Sequence, residues 1–241
     1  MSKQFWFGGR SCAEFGMMPT GAGFYNAPER DTERISVEGR NGDLIIDKGR
    51  YKNVPLQIPV SICQEFPRKA AAARTWLLQE SGYRRLESDY DPEHYRMAAF
   101  VGPLDFDVKF LNRAAEATLE FTCKPQRFLK AGESFIGFSE PCTIRNPTGF
   151  PALPKMIVWS DGVGEVSVGG VTVQFKGTGI YQLDCDTMNT QRLKPDGQTT
   201  WVNANDQIYA PEYPVLGAGE TAISLSDKVL AVRVIPRWWT L

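Results

Sequence analysis

Hydrophobic and polar residues alternate with a period of two along most of this chain, and one stretch breaks the pattern. Arg34-Ile35-Ser36-Val37-Glu38-Gly39-Arg40 alternates, Asn41-Gly42 follows, and Asp43-Leu44-Ile45-Ile46-Asp47 resumes an apolar run. Asn-Gly between two such runs predicts a tight hairpin, because both turn positions then need φ > 0. Further on, Val54, Leu56, Ile58, Val60 and Ile62 fall on one face, with Pro55 and Pro59 on the other. That predicts a half-buried strand lying at an edge or carrying a bulge, since proline cannot donate to a ladder. The exception is 67–80, rich in alanine, arginine and leucine, which predicts a helix with Pro67 in its first turn and Gly82 as its stop. Ala73, Trp76, Leu77 and Glu80 then form one stripe at helical spacing, with Trp76 as a core anchor against a sheet.

Alternation returns at 83–86, 95–101 and 115–123, where several arginines occupy alternate positions. Such long charged side chains suit either a solvated sheet face or a subunit contact. The rest of the chain reads as β throughout. Val166-Ser167-Val168, Gly169-Gly170 and Val171-Thr172-Val173-Gln174-Phe175 predict a two-residue hairpin. Residues 180–184 form another strand, Pro195-Asp196-Gly197 a turn before 199–202, and 221–225 with 229–235 a final pair. Strands and turns at this spacing describe a β-sandwich or jelly roll. By contrast, the 12–30 segment, with Gly16, Pro19, Gly21, Gly23 and Pro28, is too long for an ordinary connection. Its length predicts reach to a neighbouring subunit.

Composition narrows the function. The 241 residues divide into a charge-rich part and a charge-poor part. Residues 1–130 hold 19 Lys+Arg and 17 Asp+Glu, and residues 131–241 hold 8 and 11. The turn-dense stretch around 131–151 places a domain boundary near 125–140. The net charge of -1 gives no support to nucleic-acid binding by bulk electrostatics. No run of 18 apolar residues exists, so no transmembrane helix and no membrane insertion are expected. The opening Phe5-Trp6-Phe7-Gly8 turns polar too early for a signal peptide, which points to synthesis in a cytoplasm.

Candidate chemistry is thin. His94 is the single histidine, so any catalytic triad must use it, and Asp91-Pro92-Glu93-His94-Tyr95 reads as a turn entering a strand. Cys12, Cys63, Cys123, Cys142 and Cys185 lack metal-ligand spacing and an even count. Cys63 and Cys123, set in apolar alternation, read as small core residues. The sequence contains no P-loop, no H-E-x-x-H and no G-x-S-x-G, and Gly21-Ala22-Gly23 lacks the context of a phosphate loop. Asp184-Cys185-Asp186 and Asp105-Phe106-Asp107 put two carboxylates on one strand face, too little for a glycosidase and without calcium-loop spacing. Trp201, Tyr209 and Tyr213 could stack on sugar rings or simply pack. No catalytic, cofactor-binding or metal residue is therefore expected.

The order of motifs resembles the distal tail protein of bacteriophages with long non-contractile tails. The shared features begin with Phe5-Trp6-Phe7-Gly8-Gly9-Arg10-Ser11 and continue through Val37-Glu38-Gly39-Arg40-Asn41-Gly42 and Trp76-Leu77 to the turn Leu86-Glu87-Ser88-Asp89-Tyr90-Asp91-Pro92-Glu93-His94-Tyr95. In the second half they are Asn146-Pro147-Thr148-Gly149 with Ala152-Leu153-Pro154, then Leu183-Asp184 and Tyr213-Pro214-Val215-Leu216-Gly217-Ala218-Gly219-Glu220, where Tyr213 stands for an expected phenylalanine.

The resemblance implies a mainly β protein. An N-terminal β-sandwich-like domain with one short α-helix (1–130) would form a hub ring, and a galectin-like β-sandwich (131–241) would follow. It further implies a structural virion protein at the tail tip: a homo-hexamer contacting the tail tube protein, tail-tip proteins and a receptor-binding protein, with DNA passing through unbound. The alternative is a carbohydrate-binding sandwich that contacts cell-wall sugars through Trp159, Trp201 or Tyr209, and a glycan hydrolase comes last.

Overall fold

A computed structural model describes residues 3–21, 25–109, 113–194 and 199–241. The fold is mainly β with one α-helix. The chain divides into two compact units, 1–127 with Leu241, and 128–240. The turn expected at Pro195-Asp196-Gly197 lies outside the described residues.

The first unit is built on an antiparallel sheet. Its strand order is Arg10–Ser11, Phe5–Phe7, Arg84–Ser88, Asp91–Phe100, Ala114–Leu129, Val54–Ile62, Met17–Pro19. The first and last of these seven strands are joined by a single 3-10 turn, Cys12–Phe15. Seven strands laid flat would place them about 29 Å apart at strand spacing. The connection reaches only about 20 Å even if fully extended. The sheet must therefore curl until its edges approach, which gives the sandwich-like enclosure. Within the 12–30 segment, a capped 3-10 turn occupies Cys12–Phe15 and a strand Met17–Pro19.

The sequence explains the opening hairpin. Phe7 pairs with Arg10 across Gly8-Gly9, both at positive φ, 59° and 82°. The positive φ is what requires glycine at this turn; a Cβ on Gly8 would meet only the movable Arg84 guanidinium at 2.6 Å. Phe5 and Phe7 point inward, and the helix Phe66–Leu78 packs one stripe, Phe66, Ala70, Ala73, Trp76 and Leu77, into the same core. Trp76 stacks on Phe15 with centroids 4.3 Å apart and donates its indole N–H to the Phe7 carbonyl at 3.1 Å. It is thus the expected core anchor, with its polar handle satisfied.

The helix differs at its end. It stops at Leu78, Gln79 still has right-handed geometry, and Gly82 lies beyond as part of the turn into the next strand. Glu80 is off the buried stripe and pairs with Arg84 at 3.0 Å, while Phe66 and Ala70 complete that stripe. The prolines of Val54–Ile62 mark neither the sheet's edge nor a bulge, since Met17–Pro19 pairs beyond Val60–Ile62 and the ladder with Ala114–Leu129 runs unbroken. Pro59 accepts from the Thr20 N–H, so residues of its parity turn their main chain outward, away from the ladder with Ala114–Leu129.

The second unit is a two-sheet antiparallel sandwich. One sheet runs Ile136–Phe138, Val229–Ile235, Lys155–Ser160, Gly179–Asp184, Asn189–Leu193, Trp201–Asn203. The other runs Cys142–Asn146, Gly219–Leu225, Val163–Val168, Val171–Lys176, Ile208–Tyr209. Val158, Phe175, Tyr181 and Val232 are among the residues that fill the space between them. The Gly169-Gly170 hairpin forms as read, with Val168 opposite Val171 and both glycines at positive φ. The expected last pair does not. Gly219–Leu225 and Val229–Ile235 lie in opposite sheets, because the turn at 226–228 carries the chain across the sandwich. Periodicity marks a strand, but it does not choose its partner.

Candidate assembly surfaces

Among the described residues, strands Arg30–Ile35 and Leu44–Tyr51 pair only with each other, as a two-stranded ribbon. The Asn41-Gly42 turn expected there is a longer connection, 36–43, because pairing ends at Ile35 opposite Leu44. Within it, Arg40 N–H donates to the Val37 carbonyl, and Gly39 takes φ 76°. Charge and apolarity are separated along this ribbon. Its stem carries Arg50–Asp31 at 2.7 Å, Lys52–Glu29 at 3.2 Å and the short Arg30–Asp47 pair. Arg50 beside Asp31 holds that carboxyl below its ordinary range. Its outer end exposes Ile35, Val37, Leu44, Ile45 and Ile46, the last three at 42%, 60% and 43%. The register puts Ile35, Leu44 and Ile46 on one face and Ile45 on the other. An isolated two-stranded hairpin is marginally stable in water, so such a ribbon gains from a covering partner.

Elsewhere on the first unit lies a groove of about 300 Å³ lined by Met17, Met18, Ala13 and Cys63, with Lys3 and Lys69 among its polar residues. The 3-10 turn and the edge strand Met17–Pro19 supply its floor. Lys69 lies 4.0 Å from Glu65, a carboxylate shared with Arg68 at 2.6 Å. Lys3 donates to the Asp89 carbonyl at 2.7 Å and sits over the Tyr90 ring. Cys63 is exposed, contrary to its reading as a core residue, because it has the parity of the strand's outer face and falls just past the strand's end. Cys12, Cys123 and Cys185 are buried and Cys142 half-buried. Burial pushes the Cys123 thiol up to about 11 and that of Cys185 to about 12, which leaves both unreactive.

The remaining candidates resolve into structural roles. His94 Nδ1 lies 2.8 Å from Asp91, whose other oxygen accepts from Arg127 at 2.6 Å. Burial acts to raise the Asp91 carboxyl, but Arg127 and His94 outweigh it and hold the group low. The alternating arginines pack on rings and main chain of their own unit. Arg84 lies over Phe7, Arg85 over Tyr95 at 3.9 Å, and the buried Arg96 donates to the Asn26 carbonyl. Neither acidic pair shares a strand face, since Asp105 precedes its strand and Asp186 follows its own. Asp184 makes a two-pronged bond with Arg237 at 2.7 and 2.8 Å, which holds its carboxyl low. Tyr213 bonds Thr190 at 2.9 Å and packs on the core rather than offering its ring.

Trp159 and Trp201 lie on the outer face of the six-stranded sheet. Trp159 pairs with Ile180 and Trp201 with Leu193, and the register between their strands continues to set Ile180 opposite Leu193. One apolar row thus crosses four strands, beside Gln182, Gln191 and Asn203. Arg233 covers Trp159 at 5.3 Å. Tyr209, 61% exposed, stands apart on the edge strand of the other sheet.

Sequence reasoning missed the joint that unites two of its own motifs. Asn146 is buried and donates to the carbonyls of Phe150 (2.8 Å) and Gly217 (3.1 Å), while its Oδ1 accepts from Thr148 N–H and Oγ–H. Ala152 and Leu216 exchange main-chain bonds at 2.9 Å. The 146–154 and 213–220 segments are therefore one structural seam, which only their distance in sequence concealed.

Among the described residues no helix is long and apolar enough to cross a membrane, and no cluster of three or more metal-ligating side chains occurs. The curled sheet with a helix packed on its core, followed by a two-sheet sandwich, defines a fold shared with a phage hub adsorption protein and with chains of a phage baseplate. The SPP1 Dit protein, described as a paradigm of the hub adsorption apparatus in phages infecting Gram-positive bacteria, matches over 100% of both chains with a TM-score of 0.77 and 10% identity. Chains of the phage P2 baseplate in its activated conformation, with calcium or with strontium, match at TM-scores of 0.55 and 0.54. Each is 10% identical and covers 97% of this chain and 98% of the other. No family model and no curated protein matches the sequence.

Proposed function

We propose that this protein is a distal tail hub, a structural virion component. Six copies form a ring at the tail tip, joining the tail tube to the host-adsorption apparatus. The carrying observation is the fold match to SPP1 Dit across the whole length of both chains. In this reading 1–130 is the ring-forming part and 131–241 a galectin-like sandwich directed to neighbouring tail proteins. DNA passes through without being gripped, in keeping with a net charge of -1. The chain is made in the host cytoplasm and has no catalytic task. Light scattering of the purified chain tests the ring. Six chains of 27.0 kDa weigh about 162 kDa, and negative-stain images should show a central channel. A single-chain mass at every concentration, with tail extract added or not, would overturn it.

The Trp159–Ile180–Leu193–Trp201 row beside three side-chain amides favours a second reading, carbohydrate binding by the sandwich. Titration with cell-wall oligosaccharides decides it: millimolar or tighter binding that Trp201→Ala removes supports it, and no binding defeats it.

A further inference from the structure

We propose that Asn41-Gly42, at the outer end of the Arg30–Tyr51 ribbon, is a self-modification site where the chain converts its own asparagine to aspartate and isoaspartate. Its chemistry is independent of the hub reading. Asparagine is among the heat-labile residues, and structure protects it by holding its amide in place. Among the described asparagines, Asn26, Asn53, Asn146, Asn189, Asn203 and Asn205 all have side-chain hydrogen bonds. Asn41 has none, and it is exposed in the 36–43 connection. The main chain there is equally loose. Among the described residues its internal bond runs from the Arg40 N–H to the Val37 carbonyl, which leaves the Gly42 nitrogen unpartnered. A Cβ on Gly42 would meet nothing within 4 Å, so the space beside that nitrogen is open. Asp161-Gly162, the one described aspartate followed by glycine, is held instead. Asp161 N–H donates to the Lys228 carbonyl at 2.8 Å, and the Gly162 carbonyl accepts from Ser160 at 2.8 Å.

Water is the only co-reactant. The Gly42 main-chain nitrogen attacks Cγ of Asn41 as its proton passes to water or hydroxide. The Cγ–Nδ2 bond breaks, ammonia leaves with a proton returned by water, and a succinimide ring closes. Water then opens the ring. Opening at Cγ gives aspartate, and opening at the main-chain carbonyl gives isoaspartate. Either product adds one negative charge to a connection that holds Glu38, Arg40 and Asp43.

Folded, full-length wild type is held in mildly alkaline buffer made with heavy-oxygen water, then digested in ordinary water and mapped by mass spectrometry. The peptide carrying Asn41 should exchange its amide nitrogen for heavy oxygen and split into two species, with isoaspartate the more abundant. The peptides carrying Asn53 and Asp161-Gly162 should stay unchanged over the same period. Gly42→Ala should slow the conversion several-fold, and Asn41→Gln should abolish it on that timescale. Both variants should keep unfolding midpoints close to wild type, since both positions are exposed. An Asn41 that is still an amide after the time in which the urea-unfolded chain converts overturns the proposal. Conversion no faster at Asn41 than at Asn53 overturns it as well. Neither result touches the hub reading, which the ring mass tests separately.

Discussion

Two hairpins in this chain start from similar sequence signals and end in opposite situations. The Val163–Lys176 hairpin alternates, turns on two glycines and buries Val166, Val168, Val173 and Phe175 inside a sandwich. The Arg30–Tyr51 hairpin alternates as well, yet among its residues only Asp31 is buried. The first draws its stability from apolar area removed from water. The second has a stem of charge pairs, each worth little at an exposed surface, and leaves its apolar residues at the outer end. A strand pattern thus declares that a face is apolar, without declaring which chain will cover it.

The largest effect should come from emptying the covered hairpin. Phe175→Ala removes a fully buried ring that packs on Tyr181 at 4.9 Å. It should cost about 3–5 kcal/mol in denaturant unfolding. Next comes the seam that holds the same sandwich. Asn146→Ala removes a buried amide that bonds the Phe150 and Gly217 carbonyls, and a loss of about 1–3 kcal/mol is expected.

Asp184 should give a pH signature. Its carboxyl is held low by Arg237, so this part of the stability is present above the unfolded value of about 3.9 and lost as pH falls through the lower folded value. Midpoints taken from pH 7 down to pH 2 should fall more steeply in wild type than in Asp184→Asn, which should be less stable at pH 7 by about 1–3 kcal/mol. A smaller step is expected at Gly170→Ala, where φ is 91°, with a cost of about 1 kcal/mol.

The least effect on the single chain should come from the other hairpin. Ile46→Ser should shift unfolding by no more than about 0.5 kcal/mol, while weakening any assembly seen in light scattering. If Ile46→Ser unfolds the chain as Phe175→Ala does, the contrast between the hairpins is wrong.

Much of this fold was legible in advance because strand and helix periods leave direct marks. The half-buried alternation of Val54–Ile62, the Trp76 anchor and the Gly169-Gly170 turn all follow from local spacing and glycine φ freedom. Pairing choices were less legible. The split of Gly219–Leu225 from Val229–Ile235 depends on which sheet has room, and nothing within either strand encodes it. The Asn41-Gly42 turn failed for a related reason. Its flanking residues alternate, but pairing stops at Ile35, and Gly39 takes over the turn. Cys63 stands beside Ile62 in an apolar stretch, but it has the parity of Pro55 and Pro59 on the outer face and lies just beyond the last paired residue.

The sequence by itself determined the β class, the lone helix and its anchor, the charge contrast between the two parts of the chain, and the poverty of catalytic groups. These follow from composition and from periods of two and 3.6, which are local quantities. Tertiary structure alone decided that a short 3-10 turn joins the two ends of the seven-strand path through a nine-stranded sheet, that Asn146 joins two distant motifs, and that one apolar hairpin is left uncovered. Each of these depends on which distant segments meet, and burial is a property of that meeting rather than of any residue alone.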